Sequence, residues 1–125
     1  QRGARLLADD GFRAGRFATT FDMALAVSLF THLPMNPIVR CLVEVARTLA
    51  PGATFYASYF EAPARACLEP QRQSPGEIVT HYDRDPFHYA FDELRMMAEL
   101  AGVRVRRVGG WNHPRGQLMA AFSRE

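Results

Sequence analysis

Cysteine is scarce in this chain, and long apolar runs are missing. Its 125 residues include only Cys41 and Cys67, which lie far apart and lack the C-x-x-C spacing of a metal or redox pair. Cys41 falls in an apolar helical pattern and reads as a small buried hydrophobe, while Cys67 reads as a loop or surface residue. With nothing pointing to a disulfide framework, a reducing cytoplasm is the expected compartment. No stretch reaches the ~18 apolar residues needed to cross a bilayer, and the opening QRGAR leads into no signal-peptide core. No membrane partner is therefore expected. Nor is there a large excess of charge: +2 at neutral pH with a pI near 8.8 is too little to call for nucleic acid. The basic cluster Arg104, Arg106 and Arg107 reads as a solvated strand edge, since alternation turns Val103 and Val105 inward. The first residue is not methionine, which predicts a chain that begins within a longer protein. Internal repeats and low-complexity tracts are absent.

What is present is ordinary globular material, 48% hydrophobic and 22% charged, enough for one domain. Residues 5–10 (RLLADD) form a short apolar stretch ending in two acids. Residues 21–30 (FDMALAVSLF) are broken only by Asp22 and Ser28, which predicts a strand buried on both faces in the interior of a parallel sheet. Asn36-Pro37 supplies an N-cap and first helical residue. Behind it Ile38, Val39, Leu42, Val43, Ala46 and Leu49 form one buried stripe. Pro51-Gly52 ends that helix and turns the chain into a second strand, residues 53–60 (ATFYASYF). Strand, helix and strand in this order make a right-handed crossover.

Residues 61–86 change character, with Pro63, Pro70, Pro75 and Gly76 punctuating a polar stretch without period. A loop this long in a small domain is expected to be a lid or binding insertion. Periodicity resumes in Phe91, Leu94, Met97, Ala98 and Ala101, closed by Gly102 as a left-handed cap. Two strands follow, residues 103–108 and 117–123.

The order helix, Gly102, strand, short connection, apolar final strand resembles the ending of class I, Rossmann-like S-adenosylmethionine-dependent methyltransferases. FDMALAVSLFTHL is similar to that family's fourth strand and its following histidine. LAPGATFYASYF is similar to its fifth strand, with Ala53 replacing a glycine, and LLADD lies where its third strand ends in an acid. The resemblance implies a mostly parallel α/β sheet with an antiparallel carboxyl-terminal hairpin. It also implies S-adenosyl-L-methionine as cofactor and methyl transfer to a small-molecule or sugar acceptor. The family's G-x-G-x-G loop and first two strands have no counterpart here. The chain is thus expected to be a single partial domain, residues 1–125, with a substrate-side insertion at 61–90. A competing reading is a non-catalytic, methyltransferase-like interaction module that has lost cofactor binding.

Ligands of open α/β sheets lie beyond the carboxyl ends of the strands, and the candidate residues follow from that rule and from the resemblance. Asp9 or Asp10 would accept from the adenine amine, or be plain turn acids. Ala26, Val27 and Ser28 would pass beneath the cofactor's methionine part, or be core. His32 would take a proton from an acceptor hydroxyl, or cap the next helix. His81 and Asp83 are further candidate bases. Tyr82, His88 and Tyr89 in the insertion, with Trp111, His113 and Arg115 in the final hairpin, would wall the substrate; Arg115 suits a carboxylate or phosphate. No pair in the insertion has metal-ligand spacing, so no metal is expected. The outer edge of the 21–30 strand would be left apolar and unpaired, which predicts self-association or docking of a missing amino-terminal portion.

Overall fold

The structure is a computed structural model and describes residues 4–124. It has seven strands and two α-helices among the described residues: β1 (Phe21–Ala26), α1 (Met35–Ala46), β2 (Leu49–Glu61), β3 (Gln71–Gln73), β4 (Ile78–Thr80), β5 (His88–Tyr89), α2 (Phe91–Ala101), β6 (Val103–Gly110) and β7 (Leu118–Arg124). The main sheet runs β1-β2-β7-β6, with β5 added at the end of β2. β1 and β5 lie parallel to β2, whereas β7 is antiparallel to both β2 and β6. This is the expected mostly parallel α/β sheet with a carboxyl-terminal antiparallel hairpin.

Alternation along the strands builds the core. Ala53, Phe55, Ala57 and Tyr59 of β2, Ala120 and Phe122 of β7, and Val103 of β6 point to one face. There they meet Ile38, Cys41 and Leu42 of α1 and Leu94, Met97 and Ala98 of α2, and the two helices also pack on each other. Phe30, Phe55 and Phe122 form an aromatic trio with centroids 6.0–6.1 Å apart. Each such pair adds about 0.5–1.5 kcal/mol beyond burial. Because Phe30 belongs to the β1–α1 connection, the trio also anchors the segment that carries His32.

Several expectations are corrected. β1 is not interior: it stops at Ala26 and forms one edge of the sheet, with Ala24 and Ala26 packed on the core. Met23, Leu25 and Val27 stay 57%, 55% and 46% exposed, because neither a strand beyond β1 nor a helix on that second face is found among the described residues. Residues 5–10 form no strand, and Leu6 is 93% exposed for want of a partner. α1 begins at Met35 after Pro34, with no side-chain cap from Asn36. Pro51-Gly52 does not precede β2 but lies within it. Phe21 pairs with Leu49 and Met23 with Thr54, so the extra residues bulge out through Gly52 at φ 82°. Cys67 is buried, its thiol donating to Glu93 Oε1 at 3.2 Å. The insertion is not all loop: β3 and β4 pair as a small hairpin and β5 extends the sheet. Three-residue strands are too short to show a period. α2 and its cap Gly102, at φ 76°, lie where the apolar spacing placed them.

Candidate active site at the strand ends

At the carboxyl end of β1 the chain must leave the sheet, and Ser28 does so in the left-handed region at φ 61°. A closed ring of hydrogen bonds holds the turn. The Ser28 N–H donates to Ser58 Oγ (2.8 Å), Ser58 Oγ donates to Gln117 Oε1 (2.5 Å), and Gln117 Nε2 donates back to Ser28 Oγ (2.9 Å). Ser58 and Gln117 are buried, so this ring ties β1, β2 and the start of β7 where water cannot compete. Thr31 Oγ1 then donates to the Ser28 carbonyl, and one short turn, Phe30–His32, presents His32 at the rim.

The insertion comes back onto this turn. The Phe87 N–H donates to the Thr31 carbonyl, and the Tyr89 hydroxyl donates to the Leu33 carbonyl. Burial pushes the Tyr89 phenol well above its usual pKa, so it stays a neutral donor. Asp85 is thereby set against His32, its carboxylate oxygens 2.7 and 2.9 Å from Nδ1. A carboxylate can only accept, so in the neutral ring Nδ1 carries the hydrogen and Nε2 the lone pair. That is the tautomer of a positioned general base. Asp85 had no distinguishing signal in the sequence, because its partner is 53 residues away.

Ser28, Thr31, His32, Asp85, Arg115 and Gln117 line a cavity of about 170 Å³, with Phe60, Ile78 and Pro86 as apolar walls. A second cavity of about 270 Å³ is formed by Pro34, Met35, Tyr82, Asp83, Phe87 and Tyr89, the last two rings stacked 6.3 Å apart. The other sequence candidates lie outside both. Asp9 accepts from the Gly11 N–H and pairs with Arg13 and Arg16 at 2.9 and 3.1 Å. Desolvation alone would raise its pKa, but these bonds hold its carboxyl down to about 2. Asp10 borders a separate groove along α1 with Phe12, Asn36 and Val39. His81 contributes its backbone, donating to the Pro86 carbonyl. Asp83, by contrast, lines the second cavity, where it is exposed and faces Arg84 at 3.8 Å.

His88 is wholly buried. Its Nε2 donates to the Cys67 carbonyl at 2.6 Å, and its Nδ1 accepts from the Thr80 hydroxyl at 2.8 Å. It therefore fastens the β3–β4 hairpin to β5. Trp111 and His113 lean on each other at 5.3 Å in the final hairpin loop, and His113 Nδ1 accepts from the Arg115 N–H. Among the described residues no three His, Cys, Asp or Glu side chains group as a metal site, and no helix is long and apolar enough to cross a membrane.

Ala26 and Val27 offer a strand end with no neighbouring strand on its outer side among the described residues, and the left-handed Ser28 bends the chain away from it. That leaves the carboxyl rim of β1 open beside the turn. The glycine-rich loop that would cradle S-adenosyl-L-methionine is not in this sequence.

A Rossmann-like sheet ending in an antiparallel hairpin, with a histidine held at the rim by a carboxylate, has the fold of the carboxyl-terminal part of class I methyltransferases. The chain is similar to CalO1, a methyltransferase in calicheamicin biosynthesis solved with S-adenosylhomocysteine (TM-score 0.70, 16% identity, 97% of this chain and 34% of that one). It is also similar to the mitomycin 7-O-methyltransferase MmcR (0.63, 13%, 86% and 30%) and to the CcbJ methyltransferase from Streptomyces caelestis (0.59, 13%, 86% and 62%). At such identities the likeness is one of fold, and this chain spans about a third of the length of the first two. No family model and no curated protein sequence matches the chain.

Proposed function

We propose that this chain forms the acceptor-side part of an S-adenosyl-L-methionine-dependent methyltransferase that acts on an oxygen of a small molecule. The observation that carries this reading is the His32–Asp85 pair at the carboxyl rim of β1, in a fold shared with methyltransferases. Ala26, Val27 and the Ser28 turn would hold the methionine end of the cofactor, which supplies an electrophilic methyl group on a sulfonium. The chain's own residues then perform alignment and proton removal. The Ser28–Ser58–Gln117 ring fixes the floor, and the insertion, residues 61–90, brings Asp85 to the rim. His32 Nε2 accepts the proton of the acceptor hydroxyl, while Asp85 holds the ring in register and stabilises the imidazolium that results. Alignment of two reactants can supply about 7–11 kcal/mol, which suits a reaction whose electrophile is already activated.

Titration calorimetry of the intact protein with S-adenosylhomocysteine tests the reading. Saturable binding is expected, and heat-free injections up to millimolar ligand would overturn it. That second result would favour a non-catalytic interaction module, for which the uncovered face bearing Met23 and Leu25 supplies a surface.

A further inference from the structure

Base and floor leave one side chain of the rim cavity without a task. Among the described residues the Arg115 guanidinium makes no hydrogen bond or ion pair with the protein, yet Arg115 lines the same 170 Å³ cavity as His32. Its backbone, in contrast, is tightly held. The Arg115 N–H donates to His113 Nδ1 and the Gly116 N–H to the His113 carbonyl, both at 3.1 Å. The turn of the β3–β4 hairpin is pressed against this loop. A Cβ on Gly76 would lie 2.7 Å from Arg115 Cα, and one on Gly116 would lie 2.1 Å from the Ser74 carbonyl oxygen. Two glycines thus let the insertion and the final hairpin interlock, and the interlock fixes where the Arg115 side chain starts.

Charge and shape then specify a ligand. Asp85 is engaged by His32, whereas the exposed Arg115 guanidinium has no partner in the protein among the described residues and is left for a ligand. Phe60, Ile78 and Pro86 make the walls apolar. These three side chains offer an apolar surface beside the polar rim of a cavity of about 170 Å³, a setting that suits the flat face of a small ring. Resting on the methyl-transfer reading, we propose that the acceptor is a hydroxyaryl carboxylate. Its carboxylate pairs with Arg115, its ring lies between Phe60, Ile78 and Pro86, and its hydroxyl faces His32. A guanidinium receives a carboxylate through two parallel N–H···O bonds, a geometry that a neutral amide does not match.

The test titrates the intact protein with 2-, 3- and 4-hydroxybenzoate and with the matching hydroxybenzamides, followed by ligand-observed NMR. At least one hydroxybenzoate is expected to bind about tenfold more tightly than its amide, a preference of the size a charge-assisted pair gives. Arg115→Gln should abolish that preference while leaving the melting temperature and S-adenosylhomocysteine binding unchanged. Equal affinity for acid and amide, a preference that survives Arg115→Gln, or no binding of either probe would overturn the proposal. Loss of S-adenosylhomocysteine binding with the acid preference intact would instead remove the methyl-transfer reading and leave the carboxylate site standing.

Discussion

His32 and Asp85 meet at 2.7 Å although one belongs to the β1–α1 turn and the other to the insertion that precedes β5. Asp85→Asn keeps the shape but substitutes a group whose NH₂ can face the ring, which removes the preference for hydrogen on Nδ1. A positioned base contributes about 10²–10⁴-fold to a rate, so His32→Ala is expected to lower kcat by about 10²-fold or more and Asp85→Asn by about tenfold. Acceptor KM should change little in either variant. Steady-state kinetics with the identified acceptor decide this, and a KM effect with kcat intact would make the pair a binding feature only.

The Asp9 clamp predicts a pH-dependent stability. Its carboxyl titrates near 2 in the fold against 3.8 ordinarily, so its contribution is present above about pH 4 and lost as pH falls through 2. Asp9→Asn should therefore melt below the wild type at pH 7, and the two melting curves should converge toward pH 2. A gap that persists at low pH would assign the effect to something other than charge.

The two ring nitrogens of His88 join Thr80 to the Cys67 carbonyl. His88→Leu fills similar space but removes the His88 bond to the Cys67 carbonyl and leaves the Thr80 hydroxyl with only Gln71 and Gln73, at a cost of about 1–3 kcal/mol. Loosening should be local first. Limited proteolysis is expected to cut within residues 71–80 before global unfolding, and urea denaturation gives the total loss.

Gly116 combines φ 85° with a Ser74 carbonyl oxygen in the space a methyl group would need. Gly116→Ala should cost about 1–3 kcal/mol from strain and overpacking together. If chemical denaturation shows less than about 0.5 kcal/mol, within the range of ordinary surface changes, the interlock is looser than its geometry states.

The open edge of β1 presents unpaired backbone beside exposed Met23, Leu25 and Val27. The 125-residue chain on its own is expected to associate in light scattering, and Leu25→Lys, a charge on that edge, should shift it toward monomer. A monodisperse wild-type chain would contradict this.

The sequence by itself determined the elements whose apolar spacing is long enough to carry a period. α2 with Gly102, the β6–β7 hairpin and the crossover from β1 through α1 to β2 all follow from residues close together in the chain. The place of His32 in the turn after β1 was also legible, because that turn follows the end of a parallel strand in the sequence. Tertiary structure alone decided which residues join it. Asp85, Gln117 and Ser58 come from three distant segments, and nothing local distinguishes them from other polar residues. The unpaired edge of β1 was expected from the sequence, but its uncovered second face was not. An apolar strand reads as buried on both faces, and among the described residues only one face of β1 is packed on the core.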